Sequence, residues 1–250
     1  MKRETVTSAR NPLLVHLKKL LASRSYREAC GEFAADGTKL LDEAAKWYPG
    51  LETVVVQTGV ELCPLPEHVR VVQIPESLMR SVSQMEAPQG AIFICRLPEV
   101  RPAPLRPGTL LLDGIQDPGN LGTILRTADA LEVPVVLLDG CADAYNPKTV
   151  RATMGAVFRT QPVRMTRTEA VQSCRAAEIP LLATAMSADA VDLRKKDLSG
   201  CAVVIGSEGR GVSAELFAAA DGKIIIPMNP RCESLNAAAA ATIVLWQMKC

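Results

Sequence analysis

Three segments of the sequence combine glycine, asparagine, serine and proline in a way that is typical of ligand-binding loops. They span residues 113–128, 205–211 and 226–236, and each follows an apolar stretch of strand length. Glycine at the end of a strand allows a positive φ and lets a ligand approach the backbone closely. An ordinary turn also explains each segment taken alone, but three such segments at one edge of a sheet favour a binding site.

The spacing of these residues disfavours several common kinds of site. Gly206, Gly209 and Gly211 form a G-x-x-G-x-G pattern, which is the reverse of the dinucleotide fingerprint, and the sequence has no Walker Gly-Lys-Ser/Thr. It also has no His-Glu-x-x-His and no Gly-x-Ser-x-Gly element. Its two histidines, His16 and His68, are interpreted as surface or packing residues. Metal-dependent hydrolysis and serine-triad catalysis therefore lack their usual residues.

Strands and helices alternate around these segments in the second half of the chain. Strands are predicted at residues 109–112, 133–138, 181–185, 202–205 and 223–226. The predicted helices include one capped by Asn120, one opened by Asn146 and Pro147 and running through Phe158, one with a Thr166/Glu169 capping box, and a last one over residues 234–249. Strands that are apolar on both faces and separated by helices indicate an α/β fold, with a mainly parallel sheet covered on both sides. Ligands of such sheets bind at the carboxyl ends of the strands.

A proline-rich segment divides the chain. Residues 98–108 contain four prolines, which disfavour a helix interior and a central strand, so we interpret them as an extended linker. Amphipathic and strand-like runs before the linker predict a small α/β domain. The predicted domains are therefore residues 1–97 and residues 109–250.

Charge and composition bear on the binding partners and the cellular location of the protein. The net charge is +1, but residues 1–31 hold seven Lys or Arg side chains against two Glu, a net +5 that fits a phosphate-binding surface or simply a solvated helix. The charged N-terminus does not resemble a secretory signal, and no apolar stretch is long enough to span a bilayer. The eight cysteines include no C-x-x-C or C-x-x-H pair, so we expect reduced thiols, no metal site and a cytoplasmic location.

Three motifs in the second half resemble those of the SpoU (TrmH) branch of the SPOUT RNA methyltransferases. They are Asn120-x-Gly122-x-x-x-Arg126-Thr127-Ala128, Gly206-Ser207-Glu208-Gly209, and Pro227-Met228 followed by Ser234-Leu235-Asn236. Between the first two motifs, Arg151-Ala152-Thr153-Met154-Gly155-Ala156 resembles a further element of the family. The resemblance covers residues 109–250.

The first domain is similar to the RNA substrate-binding domain of family members that act on large ribosomal RNA. The similarity is carried by Thr7-Ser8-x-x-Asn11-Pro12, Phe33-x-x-Asp36-Gly37-x-Lys39-Leu40-Leu41 and Ala87-Pro88-Gln89-Gly90. The fold of that domain resembles ribosomal proteins that bind kinked RNA. The resemblance therefore implies structured RNA as the substrate, with ribosomal RNA favoured and transfer RNA as the alternative.

The resemblance also implies a fold and a reaction. It implies an α/β knot domain with a deep trefoil knot near the C-terminus, whose loops hold S-adenosyl-L-methionine and which forms a homodimer. The implied enzyme is an RNA (ribose-2'-O-)-methyltransferase, with no DNA or membrane partner. Two alternatives stay open, a non-catalytic RNA-binding assembly factor and a knotted enzyme that methylates a base nitrogen.

Site residues follow from the same resemblance. The implied cofactor-binding residues are Thr184, Ala185, Met186, Gly206, Ser207, Gly209, Ile226, Met228, Ser234 and Leu235. The implied catalytic and substrate residues are Arg126, Asn120, Glu208, Ser234 and Asn236. A ribose hydroxyl is a poor nucleophile near neutral pH, so its proton must be removed or the developing charge stabilised. Because arginine keeps its charge in proteins, we expect Arg126 to stabilise charge and position a phosphate, although a base role stays open.

Simpler structural roles also explain some of these residues. Asn120 and Ser234 both precede predicted helices and are candidate N-caps. Arg126 is harder to explain in this way, and its alternative is a surface arginine paired with a carboxylate. The alanine-rich run at residues 237–241 fits a dimer interface or an ordinary core helix.

Overall fold

The computed structural model describes residues 4–99, 104–207, 209–229 and 231–250, which form two compact units. The first unit contains the chain up to Glu99 together with Tyr145–Arg159, and the second contains Val100–Ala144 and Thr160–Cys250. Residues 145–159 fall within the predicted domain 109–250, so in the structure their assignment differs from the sequence prediction.

The helices and strands are numbered here in chain order. Up to residue 99 they are β1 (Glu4–Thr5), α1 (Pro12–Ala22), α2 (Arg24–Cys30), β2 (Glu32–Asp36), α3 (Thr38–Trp47), β3 (Leu51–Gln57), β4 (Arg70–Ile74), α4 (Glu76–Val82) and β5 (Ala91–Arg96). After residue 103 they are β6 (Leu110–Asp113), α5 (Pro118–Ala130), β7 (Val135–Leu137), α6 (Pro147–Thr153), α7 (Ala156–Arg159), β8 (Val163–Arg164), α8 (Arg167–Ala176), β9 (Leu181–Thr184), β10 (Val191–Asp192), a 3-10 turn (Leu193–Lys195), β11 (Ala202–Gly206), α9 (Ala214–Ala219), β12 (Gly222–Ile225) and α10 (Ala237–Gln247).

The first unit is built on a five-stranded mixed sheet in the order β1-β4-β3-β5-β2. Strands β1, β4 and β3 are parallel, whereas β5 runs antiparallel to both β3 and β2. An aromatic cluster explains why α7 belongs to this unit. The Phe158 ring is stacked against Phe33 at 6.3 Å between centroids and lies 5.9 Å from Phe93, and all three rings are fully buried.

The second unit contains a seven-stranded sheet in the order β10-β12-β9-β11-β6-β7-β8. All of its strand pairs are parallel, which confirms the parallel sheet predicted from the sequence. The apolar strands explain this arrangement, because every residue of β6 is buried and β11 is buried up to Ile205. In the part of the chain that the structure describes, no helix is long and apolar enough to cross a bilayer.

Helix ends confirm some local predictions and correct others. The Thr166/Glu169 capping box is present at α8, and Asn146 caps α6 with Pro147 at its first position. The predicted helix through Phe158 is wrong, because it ends at Thr153. Met154 and Gly155 follow with φ values of 50° and 95°, which a right-handed helix cannot contain.

Candidate active site

A pocket opens in the second unit at the carboxyl ends of three adjacent strands, β12, β9 and β11. Its volume is about 430 Å³, which lies in the range of small-molecule sites. Residues 184–187 follow β9, residues 205–207 end β11, and residues 233–235 precede α10. Two of the three glycine-rich segments therefore meet at one edge of the sheet, where parallel α/β sheets bind their ligands.

Nine of the ten predicted cofactor-binding residues line this pocket. They are Thr184, Ala185, Met186, Gly206, Ser207, Ile226, Met228, Ser234 and Leu235. Gly209 is exposed and is not among the lining residues. The fold thus brings the predicted set together from three separate loops, while a cofactor-binding role for each residue stays a prediction.

Gly206 is required by the shape of the pocket wall. After β11 the chain turns back on itself, and the Gly211 N–H donates to the Ser207 carbonyl at 2.8 Å. A Cβ at position 206 would lie 1.9 Å from the carbonyl carbon of Gly211 and 2.2 Å from the backbone nitrogen of Val212. Only glycine fits here, so the turn can fold tightly against the end of the strand.

The lining of the pocket combines an apolar surface with a few polar groups. Much of the apolar surface comes from the side chains of Ile205, Ile226, Met228 and Leu235. Such a surface suits the apolar faces of a flat ring system. Arg210 and Glu233 add one positive and one negative side chain. The Thr184 hydroxyl is already engaged, because it donates to the Val204 carbonyl at 3.0 Å. The pocket can therefore hold a ligand that has both an aromatic part and a zwitterionic part.

Asn120 and Asn236 connect the first and third glycine-rich segments. The Asn236 side-chain amide donates to Oδ1 of Asn120 at 3.0 Å. Asn236 is also the N-cap of α10, because its Oδ1 accepts from the N–H groups of Ala238 and Ala239. The two caps considered from the sequence are therefore wrong. Asp117 caps α5 and Asn236 caps α10, whereas Asn120 lies within the first turn and Ser234 is exposed at the pocket.

Arg126 lies on the exposed side of α5. The apolar side chains of Leu121, Ile124, Leu125 and Ala128 are buried along one side of the helix, and Arg126 lies off that side. Among the described residues Arg126 has no hydrogen-bond or ion-pair partner, so the expected pairing with a carboxylate is not observed. The residue is not part of the pocket wall. Glu208, another residue of the implied catalytic set, lies outside the described residues.

Sequence reasoning missed an ion pair at the carboxyl end of β6. Asp113 is only 3% exposed, and its Oδ1 accepts from Nε of Arg167 at 2.8 Å. Its Oδ2 accepts from the backbone N–H of Ser213 at 2.7 Å. Burial opposes the charge of the Arg167 guanidinium, but the hydrogen bond to Asp113 raises the pKa of Arg167 overall. Ser213 directly follows the turn that closes on Gly206, so Asp113 ties this turn to the sheet. A charged residue at the end of an apolar strand was the available signal.

We expect Asp113→Asn to destabilise the protein and weaken ligand binding at the pocket. The amide would turn one acceptor of Asp113 into a donor that faces the N–H of either Arg167 or Ser213. Loss of a charged hydrogen bond at a buried site costs about 1.5–3 kcal/mol in the free energy of unfolding. Urea denaturation measures this loss, and calorimetry measures the ligand affinity.

Asp139→Asn is the matched control. Asp139 is 51% exposed, and its carboxylate lies 3.9 Å from Nη1 of Arg167, so solvent screens its charge. It also accepts from the backbone N–H of Arg167 at 3.3 Å, and the oxygen of an asparagine can still accept this bond. Unfolding and affinity should change little in this variant. Equal losses in the two variants would contradict the assignment of the buried carboxylate as the anchor of the turn.

The parallel sheet and the pocket at its carboxyl edge define an α/β protein with a pocket suited in size to a small organic ligand. Comparison with known families then identifies the chain more closely. The model of the SpoU rRNA Methylase family matches residues 107–246, and the model of the MRM3-like substrate binding domain matches residues 11–92. The chain belongs to the SpoU rRNA methylase family.

Three similar proteins span almost the whole chain. The 23S rRNA (guanosine(2553)-2'-O)-methyltransferase RlmP of Bacillus subtilis (strain 168) is 33% identical over 247 residues, which cover 98% of each chain. The AdoMet-bound rRNA methyltransferase from Sinorhizobium meliloti has a TM-score of 0.85 at 30% identity, covering 99% of this chain and 97% of that one. The SpoU methyltransferase AviRb from Streptomyces viridochromogenes, solved with AdoMet, has a TM-score of 0.83 at 30% identity over 96% and 97% of the two chains.

Proposed function

We propose that this protein transfers a methyl group from S-adenosyl-L-methionine to the 2'-hydroxyl of a ribose in structured RNA, with ribosomal RNA as the favoured substrate. The observation that carries the proposal is the pocket at the ends of β9, β11 and β12, which gathers nine of the ten expected residues. Relatives that match almost the whole chain are named for this reaction. Transfer RNA is the alternative substrate.

The residues of the pocket suit S-adenosylmethionine. Its adenine ring is flat and apolar on both faces, as the apolar lining requires, and the close turn at Gly206 leaves backbone groups at the pocket surface. Its methionine part carries an ammonium and a carboxylate, which Glu233 and Arg210 can pair with. When bound, the cofactor supplies an electrophilic methyl group.

The chain itself must prepare the attacking hydroxyl. We assign Arg126 to the oxygen that gains negative charge, because its guanidinium is exposed and has no partner among the described residues to neutralise it. The same guanidinium can hold a substrate phosphate bidentately, and this phosphate can accept the hydroxyl proton. The Asn120–Asn236 hydrogen bond at 3.0 Å holds the first and third motifs at a fixed distance. Ser234 and Glu208 complete the proposed catalytic set.

We propose that the first unit binds the RNA. The basic N-terminal segment supports this only in part, because Arg27 is 2% exposed and donates to the Leu20 carbonyl, while Arg24 pairs with Glu28. Arg10, Lys18 and Lys19 remain exposed, and Lys2 and Arg3 lie outside the described residues. Two of the sequence motifs that this unit shares with RNA substrate-binding domains also support RNA binding. They contain Gly37 and Gln89 and lie close together in the structure. A Cβ added at Gly37 would lie 2.9 Å from Oε1 of Gln89, so the two motifs meet beside the exposed Lys39.

We further propose a trefoil knot, a homodimer formed through the second unit, and a cytoplasmic location. A knot would hold the loops after β9, β11 and β12 around one pocket without other cross-links. Ile243 and Trp246 on α10 are 40% and 63% exposed, and such apolar side chains favour a partner surface. The eight free cysteines favour a reducing compartment.

Isotope-labelled methyl transfer tests the proposed function. The full chain is incubated with labelled S-adenosylmethionine and total RNA from cells that lack the protein. Nuclease digestion and mass spectrometry should find the label in a 2'-O-methylated nucleoside from large ribosomal RNA. Label on a base nitrogen would indicate the other knotted class of enzyme. The absence of cofactor binding in calorimetry would indicate a non-catalytic RNA-binding factor.

A further inference from the structure

A cluster of four side chains in the first unit has no part in the proposed reaction. His16 lies on α1, Tyr26 on α2, Cys30 at the end of α2 and Glu32 at the start of β2. Nε2 of His16 and Oε2 of Glu32 are 2.7 Å apart, and the potential ligand atoms of His16, Cys30 and Glu32 all lie within 4.8 Å of one another. The sequence offered no such cluster, because no two of these residues have the spacing of a known metal motif.

Rigid local structure brings these three residues together. Gly31 ends α2 in the left-handed conformation with φ 68°, so the chain reverses and Glu32 lies beside Cys30. Helix α1 packs its leucines into the same apolar core as β2, which fixes the backbone of His16. Rotation of the side chains alone can change the distances between the three groups. The side chains of His16 and Glu32 are 26% and 24% exposed, so they have room to rotate.

We propose that His16, Cys30 and Glu32 form a zinc-binding site with one coordination position left for water. Imidazole, thiolate and carboxylate are all zinc ligands, whereas magnesium and calcium prefer oxygen alone. With metal–ligand distances of about 2.0–2.3 Å, the ligand atoms of a tetrahedral site lie roughly 3.2–3.6 Å apart. Nε2 of His16 and Oε2 of Glu32, at 2.7 Å, are closer than this, and no two of the ligand atoms are more than 4.8 Å apart. Shifts of about 1 Å in partly exposed side chains would therefore complete the site.

Tyr26 supplies the supporting hydrogen bonds that such a site needs. Its hydroxyl is 3.0 Å from Nδ1 of His16, and partial burial together with the neighbouring Cys30 thiol raises the pKa of this hydroxyl. When Nε2 binds the metal, Nδ1 carries the ring proton and donates to the Tyr26 oxygen, which in turn donates to the thiolate. Zinc replaces the thiol proton of Cys30 and the hydrogen bond between His16 and Glu32. Binding therefore releases a proton and weakens as the pH falls.

Competition titration with a chromophoric chelator tests the site on the full, metal-free chain. Zinc should bind at one equivalent and raise the melting temperature. Cys30→Ser should weaken binding at least tenfold and abolish the rise in melting temperature, and its fold should persist because Cys30 is exposed. Cys232→Ser is the control, since this thiol is also exposed but lies in the second unit.

Cobalt absorption spectra and a Glu32→Gln variant test the metal ligands individually. Cobalt should give a sulfur-to-metal charge-transfer absorption in the wild type and in Cys232→Ser, but not in Cys30→Ser. Glu32→Gln, which has nearly the same shape, should weaken zinc binding without altering the far-ultraviolet circular dichroism. If the wild type binds no stoichiometric zinc, or Cys30→Ser binds it as tightly as the wild type, the cluster is a hydrogen-bonded group only.

Discussion

Gly206→Ala should abolish tight binding of S-adenosylmethionine. The added methyl group would lie within about 2 Å of backbone atoms of Gly211 and Val212, and no side-chain rotation can relieve contacts with backbone. The turn after β11 must therefore move away from the strand, and the pocket changes shape. Overpacking of this severity costs about 3 kcal/mol, which corresponds to roughly 100-fold in the dissociation constant. Isothermal titration with S-adenosylmethionine measures the loss.

Gly209→Ala in the same turn is the matched control. A Cβ at position 209 meets no atom within 4 Å, and Gly209 does not line the pocket. Cofactor affinity should stay within a few-fold of the wild type. A loss as large as that of Gly206→Ala would show that the turn tolerates no side chain at all, and that the close contact at Gly206 is not the cause of the loss.

Arg126→Ala should abolish methyl transfer and leave cofactor binding almost unchanged. The residue lies outside the pocket wall, so its removal takes no contact from the cofactor. Removing one group that stabilises developing charge lowers kcat by roughly 10²–10³-fold. Single-turnover transfer to RNA measures the rate, and calorimetry measures the affinity. A parallel loss of both would contradict the assigned role.

Two further variants sharpen this result. Arg126→Lys keeps the charge but cannot form the planar, bidentate contact, so it should recover only part of the activity. Coexpression of Arg126→Ala with Gly206→Ala then tests whether two subunits share one site. In a mixed dimer, a shared site leaves one intact pocket facing one intact arginine, and activity returns. A site contained in one chain leaves both sites defective, and the mixture stays inactive.

Sequence pattern was sufficient for the parallel sheet and for most of the pocket. The strands of the second unit are apolar on both faces, and this pattern has few interpretations other than a covered parallel sheet. Glycine, serine and asparagine concentrated where strands end pointed to the edge of the sheet, and the resemblance to the SpoU motifs supplied the individual pocket residues. Gly206 and Gly209 are both glycines of the same segment, so the sequence could not tell that Gly206 lines the pocket and Gly209 does not. Only the three-dimensional structure distinguishes them.

Tertiary contacts decided what the sequence pattern could not. Asp113 was part of a glycine-rich segment, but its partners are 54 and 100 residues away and share no periodicity with it. The helix predicted through Phe158 failed because Met154 and Gly155 adopt positive φ. No local rule placed Phe158 in the core of the first unit, because this depends on a ring stacked against Phe33 from a distant part of the chain.

The return of residues 145–159 to the first unit bears on how the polypeptide folds during translation. The core around Phe33 cannot be completed when Glu99 leaves the ribosome, since Phe158 is synthesised about sixty residues later. At roughly 5–20 residues per second, this interval lasts about 3–12 s. Throughout it, an aromatic surface on the nascent N-terminal half stays uncovered and accessible to chaperones.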